Sequence, residues 1–275
     1  MDLTDNEIST FIDNSISNKE SLYNKYNHID LTYLKTYTID GPNAEEIDDG
    51  ISLEIIDNIY KLWIHIADPT IFISKDSKLD LIARERSSSI YLSKSSLLML
   101  PKIVLHELFN LNIGRERFAL SMGISIDKVG NIIKYDISRS IVKTTYSLTY
   151  EEADELIDFR PPEEQDLFLI SNLLKFNRRR RLENKAIVLE HTHSKFIYTN
   201  DIIDLDYIEF TPSRVLIAEA MILFGSLIGD HGLKNNICLP YRSQTEPKIN
   251  IESISKKYSN QTIRNIYIRH NMPKA

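Results

Sequence analysis

The sequence predicts an α+β fold in which a mixed, mostly antiparallel sheet is surrounded by helices. Alternating apolar and polar residues predict paired strands between Thr36 and Asp68, and two more strands between Phe118 and Ile141. Capping-box patterns that begin at Thr4 and Thr149 predict helices before and after these strands. The chain has 275 residues, of which 42% are hydrophobic, so it can bury a substantial core.

The N-terminal part of the chain is predicted to contain one helix and one linker before the sheet begins. The helix follows Thr4 and places Ile8, Phe11 and Ile12 on one side. The segment Asn14–Lys35 is polar, and we interpret it as a linker.

The first strands of the sheet are predicted at Thr36–Ile39, Ile51–Ile56 and Ile59–Asp68. The turn at Asp57-Asn58 has two residues, which fixes the register of the hairpin. In this register Gly50 lies opposite His65 and Asp49 lies opposite Ile66. The end of the return strand is therefore expected beside the carboxylates that precede the hairpin.

The remaining elements follow from shorter patterns. They are a helix at Leu79–Arg86, strands at Ser87–Leu92, Phe118–Ile126 and Ile132–Ile141, an apolar run at Leu97–Pro101, helices that start at Thr149 and at Pro161, and a loop at Pro240–Lys248. The segment Ser213–Ile228 is apolar on nearly every side, which predicts a buried central helix.

The composition excludes several classes of protein. The N-terminus lacks the basic and then apolar pattern of a secretory signal, and no membrane partner is expected. One cysteine, Cys238, excludes an internal disulfide framework and suits a reducing compartment. The net charge of −6 argues against a generally basic coat for nucleic acid. The abundance of Ile, Asn and Lys is typical of an AT-rich genome, so the expected location is the cytoplasm or the plastid stroma.

The most informative feature is an acidic cluster between the first two strands, formed by Asp40, Glu46, Asp48 and Asp49. Like charges in one small site repel by about 4 kcal/mol per pair at a separation of about 4 Å and an effective dielectric constant near 20. Divalent cations would cancel this repulsion, and oxygen ligands favour Mg²⁺ or Mn²⁺ over zinc. The alternative, an acidic surface loop, stays open at this point because Asp, Asn, Gly and Pro are also turn residues.

Two other residues are candidates for function. His65 is expected near the carboxylates, although a half-buried structural histidine is an equal alternative. Glu219 lies in the middle of an apolar helix, so its carboxylate must be paired, hydrogen-bonded or functional. Four consecutive arginines, Arg178–Arg181, point all round a helix; they are usually a solvated surface, and one or two of them could contact phosphates.

Collinear segments of the chain resemble the catalytic RNB domain of the RNase II/RNase R exoribonuclease family. The segments are Thr38–Asp40 with Glu46–Asp49, Trp63–Asp68, Ser77–Asp80, Ile90–Leu92, Met99–Pro101, Phe118–Ser121, Leu148–Glu152, Glu219–Ile222 and Leu239–Arg242. The continuation of the last segment, as far as Gln244, looks most like cyanobacterial and plastid members. We therefore expect an RNB domain over residues 31–275, preceded by an N-terminal helix and linker over residues 1–30.

The resemblance implies a 3′→5′ exoribonuclease that releases nucleoside 5′-monophosphates from single-stranded RNA with Mg²⁺. It implies that the four acidic residues are catalytic and hold the metal. It further implies that Tyr91 stacks on the terminal bases, although a tyrosine in a strand is more often part of the core. Glu219 is implied to contact the ribose 2′-hydroxyl. His65 is a third RNA-binding candidate because it is expected near the carboxylates.

Two departures from the family pattern affect this expectation. Glu46 stands at an acidic position that is usually Asp, so its carboxylate reaches one methylene further. The family's C-terminal segment, whose arginine binds the scissile phosphate, is not found before Ala275. Two hypotheses follow: a ribonuclease completed by a separate polypeptide, or an impaired RNB-fold fragment that binds RNA or a partner without turnover. An unrelated Mg²⁺-dependent phosphohydrolase is a third hypothesis, which the collinear segments make improbable.

Overall fold

The structure is a computed structural model that describes residues 3–92, 95–188, 193–199, 202–208, 210–243, 245 and 251–273. The chain divides into two compact units, residues 1–176 and residues 177–275, and each is described by itself.

The first unit begins with two helices and a short strand. Helix α1 (Asp5–Ser17) starts at the predicted capping box of Thr4, and its Ile12 packs in an apolar cluster with Leu79 and Leu98. Helix α2 (Lys19–Lys25) and strand β1 (Ile29–Asp30) follow. The predicted linker is therefore wrong: most of this segment is helix or strand. Helix α2 was missed because none of its residues is buried, which leaves no apolar periodicity in its sequence.

Six strands form the main sheet of the first unit in the order β1-β8-β2-β3-β4-β7. Besides β1, they are β2 (Thr36–Asp40), β3 (Asp49–Ile56), β4 (Ile59–Ala67), β7 (Glu116–Ile126) and β8 (Ile132–Thr149). Strand β8 runs parallel to β1 and β2, and all other pairs are antiparallel. The predicted mixed, mostly antiparallel sheet is confirmed.

Strand β8 closes this sheet on itself. Its first part pairs with β7, and its last part, residues 144–149, pairs with β2. Strands β2, β3, β4, β7 and β8 therefore form a closed circuit of hydrogen-bonded neighbours. The side chains of Tyr37 and Tyr146 stack across the β2–β8 pair, with ring centroids 5.1 Å apart.

The predicted register of the β3–β4 hairpin is confirmed. Gly50 pairs with His65 and Asp49 with Ile66, and pairing continues to Ile56 and Ile59 at the turn. A two-residue turn of Asp57 and Asn58, both with positive φ, joins the strands. The end of β4 therefore lies beside the start of β3, where the acidic residues are.

Smaller elements surround the sheet. They are α3 (Lys78–Arg86), a two-stranded hairpin of β5 (Ile90–Tyr91) and β6 (Ser96–Leu97), a helical turn α4 (Lys102–Val104) that continues as a π-helical turn over Leu105–Phe109, α5 (Tyr150–Phe159) and α6 (Gln165–Glu183). The predicted strand at Ser87–Leu92 is thus only two residues long. Helix α6 begins later than predicted because residues 161–164 form a turn, in which the Glu164 N–H donates to the Pro161 carbonyl.

The second unit contains a hairpin of β9 (His193–Thr199) and β10 (Ile202–Ile208), and helices α7 (Pro212–Lys234), α8 (Ile251–Lys257) and α9 (Gln261–Asn271). Helix α7 is not buried on every side as predicted: Leu216 and Leu223 are buried, but Ile222 is 40% and Leu233 74% exposed. By length and composition alone this helix passes the test for a membrane span, a test that core helices also pass. Part of the predicted loop at Pro240–Lys248 lies outside the described residues.

Candidate active site

The acidic residues lie on a loop that joins β2 to β3. Asp40 is the last residue of β2 and Asp49 the first residue of β3. Main-chain carbonyls of the loop are bound by neighbouring segments: Asn110 Nδ2 donates to the Glu45 carbonyl at 2.8 Å, and the Leu111 N–H donates to the Ile47 carbonyl at 2.8 Å. The loop is therefore fixed on both sides of Glu46.

A buried arginine fixes the segment that holds this loop. Arg117 on β7 is 8% exposed and donates from Nε to the Asn110 carbonyl at 2.9 Å and from Nη2 to the His106 carbonyl at 3.0 Å. Desolvation lowers the pKa of Arg117 to about 10. Neither Arg117 nor Asn110 was identified from the sequence. For Arg117, its place beside the apolar strand residues Phe118 and Ala119 could have indicated a buried arginine.

Three of the four carboxyl groups, those of Asp40, Asp48 and Asp49, have raised pKa values. Burial raises the pKa of Asp49 to about 7, with further contributions from the charges of Asp40 and Asp48. Burial, followed by the charge of Asp48, raises the pKa of Asp40 to about 6. The pKa of Asp48 is also raised, first by desolvation and then by the charge of Glu46, although Asp48 is the most exposed of the four. The pKa values of these aspartates are therefore raised and coupled, in agreement with the charge repulsion expected from the sequence.

The donor chemistry of this cluster fits a hard divalent cation. Oδ2 of Asp49 is buried and has no hydrogen-bond partner among the described residues, so this oxygen can serve as a ligand to a cation. In the part of the chain that the structure describes, however, no three His, Cys, Asp or Glu side chains already converge as a metal site. The aspartates are thus close enough to influence one another, but they do not form a closed cage.

Glu46 is turned towards the β5–β6 hairpin. The Tyr91 hydroxyl donates a hydrogen bond to Glu46 Oε2, and desolvation together with this bond raises the pKa of Tyr91 to about 12. The Tyr91 side chain is 61% exposed, so it is not a core residue. Its ring is available to a ligand beside the acidic loop.

His65 does not face this site, and its prediction as an RNA-binding residue is wrong. Its side chain is completely buried, with Nε2 2.9 Å from Ser52 Oγ and Nδ1 2.6 Å from Ser121 Oγ. Side chains alternate along a strand, so His65 shares a face with its partner Gly50, whereas Asp49 projects to the opposite face. Burial lowers the pKa of His65 to about 3, which keeps the ring neutral.

Glu219 belongs to the second unit, where it is buried and paired. Arg181 Nη1 lies 2.6 Å from Glu219 Oε1, and Asn177 Nδ2 donates to Oε2 at 3.2 Å. The other members of the arginine run also have partners within the chain: Arg178 lies over the Phe210 ring, Arg179 pairs with Glu183, and Arg180 donates to Asn177. The run is therefore not a free basic surface.

Comparison with known proteins decides the family. The RNB domain matches residues 28–274, which is most of the chain. The chain belongs to the RNB domain family. The predicted RNB fold and the resemblance to the RNase II/RNase R proteins are thereby confirmed, whereas the boundary between residues 30 and 31 stays a prediction.

The RNB domain described here is similar to curated ribonucleases. It is 35% identical over 248 residues to the uncharacterized ribonuclease sll1290 of Synechocystis sp., covering 90% of this chain and 37% of that protein. It is 35% identical over 236 residues to the chloroplastic/mitochondrial ribonuclease II of Arabidopsis thaliana, covering 82% of this chain and 29% of the relative. The predicted likeness to cyanobacterial and plastid members is confirmed. The chain spans about a third of the length of these relatives.

A solved structure shares the fold. Mycoplasma genitalium RNase R, in complex with ribose methylated single-stranded RNA, superposes with a TM-score of 0.83 at 20% sequence identity. The superposition covers 93% of this chain and 46% of that protein. At this level of identity the likeness concerns the fold alone.

Proposed function

We propose that this RNB domain is part of a 3′→5′ exoribonuclease that hydrolyses single-stranded RNA to nucleoside 5′-monophosphates with Mg²⁺ or Mn²⁺. The family membership and the names of the curated relatives support the reaction class. The complex that Mycoplasma genitalium RNase R forms with ribose methylated single-stranded RNA supports the choice of substrate.

The observation that carries the proposal is the coupled set of aspartates on the anchored loop. Asp40, Asp48 and Asp49 have raised pKa values, and an oxygen of Asp49 is buried without a partner among the described residues. In the proposal these three residues hold the divalent cation together with Glu46. When bound, the cation would supply the positive charge that activates water for in-line attack on phosphorus and stabilises the leaving 3′-oxygen.

Other residues of the chain would bind the RNA. The exposed ring of Tyr91 would stack on a base, a contact worth about 1–3 kcal/mol per base that tolerates any sequence. Glu219 would accept a hydrogen bond from a ribose 2′-hydroxyl, because each of its oxygens has capacity beyond the one bond from Arg181 or Asn177. The cytoplasm or the plastid stroma stays the proposed location, and a separate polypeptide stays a predicted partner.

The test uses the whole chain with a single-stranded oligoribonucleotide whose internucleotide phosphates are labelled throughout. Released nucleotides are separated by chromatography in the presence of Mg²⁺, Mn²⁺ or EDTA, and an oligodeoxyribonucleotide of the same sequence is the substrate control. We expect nucleoside 5′-monophosphates from RNA only, and only with a cation. Asp48→Asn should abolish release, because it removes a charged ligand without changing the shape of the side chain.

The matched control is Asp57→Asn, the same isosteric change at the turn that follows the other end of β3. It should release nucleotides at the wild-type rate. Absence of release from the wild-type chain at high enzyme concentration, together with retained RNA binding, would favour the alternative of an RNB-fold fragment that binds without turnover.

A further inference from the structure

The β5–β6 hairpin is attached to the acidic loop through two adjacent glutamates. The Ser96 hydroxyl donates to Glu45 Oε2, and Lys102 Nζ lies 2.6 Å from Glu45 Oε1. The Tyr91 hydroxyl donates to Glu46 Oε2. All three side-chain bonds therefore run from the hairpin, or from the helical turn after it, to neighbouring positions of one loop.

The two glutamates differ in what holds them. Both carboxylate oxygens of Glu45 are bound, and its main-chain carbonyl accepts from Asn110. Glu46 is bound to the hairpin by a phenol, which is a neutral and largely exposed partner. Among the described residues Glu45 is therefore held by three contacts and Glu46 by one bond from the hairpin, and this single bond is the one that can exchange.

We propose that the Tyr91 hydroxyl holds Glu46 away from the cation site, so that a divalent cation must displace the phenol before Glu46 can bind it. This inference rests on the proposed function, because it assigns Glu46 to the cation. A glutamate has one methylene more than an aspartate, which gives its carboxylate the reach to meet the hairpin.

Exchange of the phenol links the cation to the hairpin. Once the cation has taken Glu46, the Tyr91 ring loses its bond to the loop and is free to turn towards a ligand. Linkage is reciprocal, so a ligand that draws Tyr91 away from Glu46 must raise the affinity for the cation by the same factor. Ile90 and Leu92, 49% and 56% exposed, flank the ring and would move with it.

The experiment measures Mn²⁺ binding by the whole chain, without RNA, from the electron paramagnetic resonance signal of free Mn²⁺. Tyr91→Phe keeps the aromatic ring and removes only the hydroxyl. We expect it to bind Mn²⁺ about three- to tenfold more tightly, the range that corresponds to the net contribution of a typical hydrogen bond. The matched control is Tyr33→Phe, because the 67% exposed Tyr33 donates to Glu54 Oε1 at 3.0 Å and should leave Mn²⁺ affinity unchanged.

Glu46→Asp provides an independent test, since the shorter side chain cannot reach the phenol. In the Glu46→Asp background, Tyr91→Phe should no longer change Mn²⁺ affinity, so the two substitutions should be non-additive. Equal or weaker binding by the Tyr91→Phe single variant overturns this inference alone, provided that the wild type binds Mn²⁺ and Asp48→Asn does not. Failure of the wild type to bind Mn²⁺ overturns the proposed function as well.

Discussion

Arg181 and Glu219 form an ion pair of 2.6 Å in which the glutamate side chain is only 5% exposed. Removing one partner of a buried pair leaves an uncompensated charge, which typically costs about 3–5 kcal/mol. We therefore expect Arg181→Met to lower the free energy of unfolding by about 3 kcal/mol, because Arg181 itself is partly accessible. Urea denaturation measures this change.

The matched control for Arg181 is its neighbour in the same run. Arg179 pairs with Glu183 at 3.0 Å, but their side chains are 77% and 63% exposed, so Arg179→Met should cost less than about 1 kcal/mol. Adding Glu219→Leu to Arg181→Met should restore part of the lost stability, because the pair is then replaced by apolar side chains. Equal effects of the two single arginine substitutions would mean that the buried pair contributes no more to stability than the exposed pair.

Asp49 should make the metal-free protein less stable as the pH rises. Its pKa is raised from 3.8 to about 7 in the folded chain, so between these values the folded state binds more protons than the unfolded state. The contribution of Asp49 to the free energy of unfolding is fully present below the unfolded-state pKa of 3.8. It is lost as the pH rises through the folded-state pKa of about 7. In EDTA at about pH 8, Asp49→Asn should stabilise the protein by on the order of 2 kcal/mol after solvent screening.

The same Asp49→Asn variant should show little stabilisation near pH 4, where the wild-type carboxyl is protonated in the folded state. Unfolding curves at a series of pH values, with Asp57→Asn as the reference, give the comparison. A destabilised Asp49→Asn protein at the higher pH would contradict the raised pKa of Asp49. Added Mg²⁺ should stabilise the wild type more than this variant, because a ligand that binds only the folded state adds to its stability.

His65 should have the opposite pH dependence. Its pKa is lowered from 6.5 to about 3, so the unfolded chain takes up protons first as the pH falls, and stability is lost over that interval. His65→Leu removes this dependence and one hydrogen bond from each of Ser52 and Ser121, which keep their bonds to Thr36 and Ser140, at a cost of about 1–3 kcal/mol near neutral pH. A variant of unchanged stability would show that the buried bonds contribute nothing.

Asn110 should stabilise the acidic loop through its side chain. Asn110→Ala removes the donor to the Glu45 carbonyl and should cost about 1–2 kcal/mol, because the residue is buried. Asn112→Ala is the matched control, since its amide donates to the His106 carbonyl at 3.1 Å from an exposed position. Amide hydrogen exchange should speed up over residues 44–48 in the first variant only. Equal exchange in both variants would contradict the role of Asn110.

The hairpin and its register could be predicted because the information is local. A two-residue turn and alternating residues over Ile51–Ile66 fix which residues face each other, and the structure has the same pairs. The acidic loop was identified for the same reason, because its four carboxylates are close in sequence. The orientation of His65 was missed because adjacency across the hairpin was used without the alternation of faces.

The long-range contacts could not be predicted in this way. The closure of the sheet depends on β8 changing partners from β7 to β2 along its length, which no local pattern specifies. The bond from Asn110 to the Glu45 carbonyl joins residues 65 positions apart, and the bonds from Arg117 depend on the path of the turn that contains His106 and Asn110. The bond between Tyr91 and Glu46 joins residues 45 positions apart and depends on where the small hairpin packs.

The parallel pairing of β2 with β8 also bears on how the molecule is made. Asp40 pairs with Thr149, more than a hundred residues later in the chain. Contacts of this separation form slowly, because loop closure must precede them. During synthesis, a nascent chain that has not yet presented Thr149 outside the ribosome cannot give Asp40 its final neighbours, so the acidic loop reaches its final setting only after both strands have emerged.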